Sequence, residues 1–227
     1  HALERVTGGV KNLYGCISGL HKAKGHTQYT NADIFARQLI DLNQLIAPRF
    51  CVMDGIVAMD GNGPTSGDPV KMNVLLLGND PVAIDSVYCH LVHLDPQMVP
   101  TNVHGETMGL GTWREENIRL LSEDGEITMQ EAVERLGNPD FNVDRKKQRS
   151  NLWNRFNNGF LRYFQKKPYI VTDKCKKCGV CVEACPVEGK ALQFKNGRKQ
   201  PPVYNYHKCI RCFCCQEMCP HKAIQVK

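Results

Sequence analysis

Two copies of one cysteine pattern, Cys-x-x-Cys-x-x-Cys-x-x-x-Cys-Pro, constrain this chain more than anything else in it. They lie at Cys175-Cys178-Cys181-Cys185-Pro186 and at Cys209-Cys212-Cys215-Cys219-Pro220. Three thiolates spaced two residues apart can converge on three irons of one cube only if the backbone curls around it, turning its amide N–H groups toward the sulfurs. The fourth cysteine of each run is expected to open a short helix and point away, toward a second cube. On this pattern Cys175, Cys178, Cys181 and Cys219 hold one [4Fe–4S] cluster, and Cys209, Cys212, Cys215 and Cys185 hold the other.

Other uses of cysteine explain the pattern less well. Structural zinc needs four ligands per ion and gains nothing from a duplicated third and fourth cysteine in fixed register. Disulfides suit small secreted chains, and this sequence has no secretory signal. Cys16, Cys51 and Cys89 are scattered, which together with thiolate-ligated clusters points to a reducing compartment, the cytoplasm. No uncharged apolar run reaches the roughly 18 residues a membrane span requires.

The flanks of the motifs read as short strands, Tyr169-Ile170-Val171 and Ala223-Ile224-Gln225-Val226. Ala191 to Phe194 and Pro202 to Tyr204 surround an Asn196-Gly197 turn, a hairpin signal. Residues 168–227 thus resemble the two-cluster bacterial ferredoxins, and the resemblance implies two strand–loop–helix–strand repeats about a pseudo-twofold axis. Phe213 departs from the pattern, standing where the first motif has Gly179. Cys214 also departs from it, as an extra thiol read as free and partly buried.

Charge divides the chain. Residues 1–143 carry 10 Lys and Arg against 18 Asp and Glu, whereas residues 144–227 carry 19 against 5. The basic half is expected to attract a redox partner with an acidic docking surface. Nucleic acid is the other polyanion, but no nucleic-acid-binding motif accompanies the charge. Between the halves, residues 144–167 form a basic aromatic linker or helix. Leu152, Phe156, Phe160 and Phe164 recur every four residues there, beside Trp153 and Tyr163, as on an amphipathic helix.

Residues 1–143 read as an α/β domain. A helix over Ile34 to Ile46 precedes a strand, Phe50 to Met53, running into Asp54-Gly55. A second strand, Val74 to Gly78, runs into Asn79-Asp80-Pro81, and Pro81 opens a helix to about Leu94. In an open sheet whose strands each deliver an aspartate at the carboxyl end, ligands bind at that edge. The loop Asp60-Gly61-Asn62-Gly63-Pro64-Thr65-Ser66-Gly67-Asp68-Pro69 is glycine-rich, but it is neither a phosphate loop nor a dinucleotide fingerprint. His21 and His26 flank two lysines, and His90 and His93 sit three apart without a third ligand in register.

Thr7 to Gly15, Asp54-Gly55-Ile56, Gly63-Pro64 to Gly67, Asp80-Pro81-Val82-Ala83 with Asp85, and Gly109-Leu110-Gly111 ahead of an apolar strand together resemble the family catalogued as domain of unknown function 362. Its members often carry a C-terminal ferredoxin domain. The resemblance also implies a further α/β segment ahead of His1, so the α/β domain is expected to be truncated. Lys11, Asn12, Asp54, Asp60, Asp80 and Asp85 are the substrate-binding candidates, expected to gather at one sheet edge.

The sequence therefore reads as an α/β domain joined to an α+β ferredoxin-like domain with two [4Fe–4S] clusters. The function expected is one-electron relay to or from a ligand of the first domain or a docked oxidoreductase, which leaves open whether the chain is itself an oxidoreductase. A noncatalytic adaptor subunit of a larger redox complex and a nucleic-acid-binding iron–sulfur protein are the alternatives.

Overall fold

The computed structural model describes residues 4–17, 31–61, 63, 67–145 and 167–226. They fall into two compact units, one within residues 4–145 and one within residues 167–226. Each mixes helix and sheet. The amphipathic segment from Leu152 to Phe164, the pair His21 and His26, and Asn62 with Pro64 to Ser66 lie outside the described residues.

In the first unit, α1 (Gly9–Asn12) leads to α2 (Ala32–Ile46). Helix α2 starts where Asn31 accepts a hydrogen bond from the Asp33 N–H, and it ends at Ala47, whose φ of 48° lies in the left-handed region. Phe35, Ala36, Leu39, Ile40 and Asn43 form its buried stripe, at the spacing of one helix face. The Phe35 ring meets Tyr14 edge-on at 5.1 Å. Asn43 is buried within this stripe, and its amide donates to the carbonyls of Val10 and Leu39.

Strands β1 (Cys51–Asp60) and β2 (Asp68–Gly78) pair antiparallel, with Cys51 opposite Gly78 and Asp60 opposite Asp68. This corrects the expectation of two strands delivering aspartates to one edge. Only seven residues separate Asp60 from Asp68, and a connection that short permits only antiparallel pairing, since a parallel crossover takes about a dozen residues or more. The first strand is also longer than expected, so Asp54 lies inside it rather than at its end. One hairpin face packs through Val70, Met72, Val74 and Leu76, while Val52, Ile56, Leu75 and Leu77 stand exposed.

Asp80 and Pro81 start α3 (Pro81–Leu91), which is buried along most of its length and stops one turn short of Leu94. Helices α4 (Pro100–Thr107) and α5 (Met129–Leu136) follow. Between them lies a small hairpin of β3 (Leu120–Ser122) and β4 (Gly125–Ile127). The strand expected directly after Gly111 is β3, nine residues further on. Thr128 and Glu131 close a reciprocal capping box on α5. The Arg145 guanidinium ends the unit by donating to the carbonyls of Val92, His93, Pro139 and Phe141.

The second unit is built twice. Strand β5 (Pro168–Ile170) pairs antiparallel with β8 (Ile224–Val226), and β6 (Leu192–Gln193) pairs with β7 (Val203–Tyr204). Gly197, at φ 62°, turns the second hairpin where Asn196-Gly197 was read as a turn. The repeats match in their backbone bonds too: Val171 N–H donates to Ala223 O and Asn205 N–H to Ala191 O, both at 2.8 Å. Two short helices, α6 (Val180–Glu183) and α7 (Cys214–Glu217), complete the repeats.

Candidate metal centres

Each cysteine run bends through two left-handed residues flanking its second cysteine. In the first run these are Lys177 at φ 58° and Gly179 at 90°; in the second they are Arg211 at 60° and Phe213 at 60°. These reversals curl the chain, and the residue after the second cysteine then caps a helix. That local geometry corrects the expectation that the fourth cysteine opens the helix. Cys181 lies inside α6 and Cys215 inside α7, while Cys185 and Cys219 follow the helix ends.

The result brings the eight cysteines together in two sets of four. Cys175, Cys178, Cys181 and Cys219 line one cavity. Cys185, Cys209, Cys212 and Cys215 line another. Each run thus contributes three residues to one cavity and its fourth to the other. Among the described residues, no three His, Cys, Asp or Glu side chains converge closely enough to hold a single ion. Four thiols spaced around a cavity suit a polynuclear cluster, which spreads its ligand positions over several metals.

Backbone and side-chain donors face these sulfurs. Ala191 N–H donates to Cys185 Sγ and Ala223 N–H to Cys219 Sγ, both at 3.3 Å and at matching positions of the two repeats. In the second cavity, the Tyr204 hydroxyl lies 3.1 Å from Cys215 Sγ. Burial raises the Tyr204 phenol and keeps it protonated, so against a thiolate it can only donate. The extra thiol, Cys214, is buried and hydrogen-bonded to Cys212, and this bond pulls the Cys212 thiol below its ordinary range. Burial pushes Cys181 up to about 11 and Cys215 up to about 12. Metal binding at these sites must therefore displace protons.

The six candidates of the first unit do not gather. Asp80 and Asp85 share one neighbourhood with Cys51, whose thiol is raised by burial and then by the two carboxylates. Asp80 Oδ1 accepts from the N–H groups of Val82 and Ala83 at 2.8 and 2.9 Å, and its Oδ2 accepts from Thr112 N–H at 2.9 Å. Asp85 is buried and accepts from Gly9 N–H at 2.6 Å and Val10 N–H at 3.2 Å. Gly8 admits this contact, because a Cβ there would lie 2.0 Å from Asp85 Oδ1. Asp60 stands at the opposite end of β1 from Cys51, roughly 30 Å away at the rise of a strand. There it accepts from Asn142 N–H. Asp54 is exposed and accepts a hydrogen bond from Ile56 N–H two residues on, at the β1 bulge. Lys11 and Asn12 lie on α1, Lys11 close enough to the buried Glu4 to lower its pKa and Asn12 exposed. His90 is on α3, but His93 lies past its end at φ 52°, so the two do not share a helix face.

Sequence reasoning missed Tyr204 and Arg198 as parts of the cysteine-lined sites. Tyr204 was visible only as a strand residue. The Arg198 guanidinium comes within 3.1 Å of the position a Gly179 Cβ would take, a proximity created by the hairpin turn.

Residues 1–90 match the family model described as domain of unknown function (DUF362), and residues 167–220 match the 4Fe-4S dicluster domain. The chain is 33% identical over 177 residues to the thylakoid-associated protein sll1697 of Synechocystis sp., a match covering 77% of this chain and 54% of that relative. The chain thus spans about half the length of the curated relative it matches. No solved structure matches it. No helix among the described residues is long and apolar enough to cross a membrane. The chain carries the DUF362 domain of unknown function in residues 1–90 and a 4Fe-4S dicluster domain in residues 167–220, as the resemblances in its sequence implied.

Proposed function

We propose that the chain is an iron–sulfur electron-transfer protein in which Cys175, Cys178, Cys181 and Cys219 hold one [4Fe–4S] cluster and Cys185, Cys209, Cys212 and Cys215 hold a second. The observation that carries this reading is the crosswise sharing of the fourth cysteine between the two cysteine-lined pockets. Bound, such clusters supply one-electron redox chemistry. The chain's own residues orient and screen. The N–H groups of Ala191 and Ala223 fix the sulfurs of Cys185 and Cys219, and the Tyr204 hydroxyl is aimed at Cys215. Leu192 and Ile224, both 1% exposed, belong to the apolar packing that includes Cys181 and Cys215 and keep water from that side.

In this reading the first unit docks or binds what the clusters serve. Its carboxylates Asp80 and Asp85 act as internal ties, since both are engaged by backbone N–H groups. The Arg145 guanidinium is committed to four backbone carbonyls, so this cation of the basic stretch is engaged within the protein rather than offered to a nucleic acid.

Anaerobic reconstitution with iron and sulfide tests the reading. The full chain should bind about eight irons, and Cys178→Ser or Cys212→Ser should each cost one cluster of the two. A reconstituted chain with no paramagnetic resonance signal on reduction, or with about one metal ion per four cysteines, sinks it.

A further inference from the structure

The two cavities differ in what surrounds them. Lys176, Lys177 and His221 line the Cys175 cavity, and Arg198 lies over Gly179 at its edge. The Lys177 ammonium is held in place by the Lys199 carbonyl at 2.7 Å, and the Arg198 guanidinium lies 5.9 Å from the centre of the Phe194 ring. Lys176 and Arg198 are exposed. The second cavity has no charged residue in its lining; its walls are apolar apart from the cysteines and Tyr204. The sulfur ligands differ in the same sense. In the first set Cys178 is exposed, Cys175 and Cys219 are half-buried and Cys181 is buried, whereas in the second Cys185, Cys209 and Cys215 are buried and Cys212 is half-buried.

Electron exchange between proteins needs a short path and an encounter that favours it. A cationic rim around the more exposed of two sites provides both, because opposite charge on a partner steers its approach and fixes its orientation. Resting on the cluster assignment above, we propose that the rim of the Cys175 cavity, formed by Lys176, Lys177, Arg198 and His221, is the docking face for an acidic one-electron carrier protein. The Cys185 site, with three of its four thiols buried, then holds the second carrier of the relay. The acidic first unit and the basic second unit of the sequence acquire separate roles, the basic one being the port.

The test uses the full reconstituted chain and, as probe, an acidic plant-type ferredoxin, with the dissociation constant read by calorimetry. Binding should weaken at least about tenfold between roughly 0.02 M and 0.5 M salt. At low salt the double variant Lys176→Glu with Arg198→Glu should weaken binding by about tenfold or more. Lys195→Glu with Lys208→Glu, on the same unit but outside the lining, should change it less than about twofold. Iron content and paramagnetic resonance are measured first on every protein. Loss of clusters in the unmodified chain strikes at the cluster assignment. Intact clusters with no binding at low salt, no salt dependence, or equal effects of the two double variants overturn the docking face alone. Vesicles of phosphatidylglycerol form the last arm. If the Lys176 and Arg198 changes release the chain from vesicles and leave ferredoxin binding intact, the face belongs to a membrane and the proposal fails.

Discussion

The Tyr204 hydroxyl lies 3.1 Å from the sulfur of Cys215, and its ring stacks on Tyr206 at 5.3 Å with the planes 14° apart. The Tyr206 hydroxyl in turn donates to the Pro168 carbonyl, which fixes the stack against strand β5. In the proposed assignment, where Cys215 ligates a cluster as a thiolate, a phenol held this way stays aimed at the sulfur. Hydrogen bonds to cluster sulfurs stabilise the reduced, more negative state and raise the potential.

Tyr204→Phe removes that donor with little change of shape. The cluster held by Cys215 should fall in potential by about 40 mV, the equivalent of about 1 kcal/mol for one electron. The other cluster should move much less. Cys214→Val, which copies Val180 of the first run, removes the thiol bonded to Cys212 and should act in the same direction. A redox titration followed by paramagnetic resonance reads both, and an unchanged or raised potential in Tyr204→Phe contradicts the role given to the phenol.

Asp85 links folding to pH. Burial pushes its carboxyl up to about 7 from an unfolded value near 4, even though two backbone N–H groups favour the charged form. A raised folded pKa means the native state holds more protons between those values, so this group's contribution to stability falls as pH rises from about 4 to 7 and is level beyond. Asp85→Asn should therefore cost clearly less stability at pH 8 than at pH 5, by roughly 1 kcal/mol or more. Glu4, raised to about 8 by burial, acts in the same sense in both proteins and cancels in the difference. Equal penalties in denaturation at the two pH values would refute the assignment.

Gly179 and Phe213 make the cysteine runs a matched pair with unequal residues. Both are left-handed, but Gly179 adopts φ 90° freely whereas Phe213 carries a side chain at 60°. Phe213 is 5% exposed and lines the second cavity, so ring burial offsets the backbone cost. Gly179→Ala has no such compensation, and its Cβ would press on Arg198 at 3.1 Å. It should cost about 1 kcal/mol in the cluster-loaded protein, measured by thermal denaturation. A neutral result would show that the first run tolerates what the second does.

The second unit was legible in the sequence because its cysteine spacing announces the fold. The spacing of Cys175 to Cys185 admits one kind of backbone curl, and the Asn196-Gly197 turn is a local signal. What the sequence hid there is non-local. Arg198 reaches Gly179, and Tyr204 reaches Cys215, only through the pseudo-twofold pairing of the repeats. In the first unit the elements were legible and their pairing was not. Apolar runs ending at Asp54 and Asp80 look equivalent in one dimension, and only the extension of β1 to Asp60 reveals a hairpin. Asp85 stands out in the sequence only as a substrate-binding candidate, and nothing local says that it faces Gly9 and Val10 from 76 and 75 residues away.

Asp80 and Asp54 separate on the same ground, and substitution should show it. Asp80 Oδ1 caps α3 through two N–H groups, and its Oδ2 holds Thr112 across 32 residues of sequence. Gly111 is packed against it so closely that a Cβ would fall 1.9 Å from Asp80 Oδ1. Asp80→Ala removes a helix cap, typically worth about 1 kcal/mol, and leaves the partly buried Thr112 N–H without its acceptor, for a total of roughly 2–3 kcal/mol. Asp54→Ala removes one short-range bond to Ile56 N–H from an exposed side chain and should cost about 0.5 kcal/mol or less. Denaturant midpoints of the two variants decide between a structural tie and an interchangeable pair of strand-end acids. If Asp54→Ala proves as damaging as Asp80→Ala, the exposed carboxylate has work beyond the bulge, and the first unit's binding site should be sought at β1 rather than around α3.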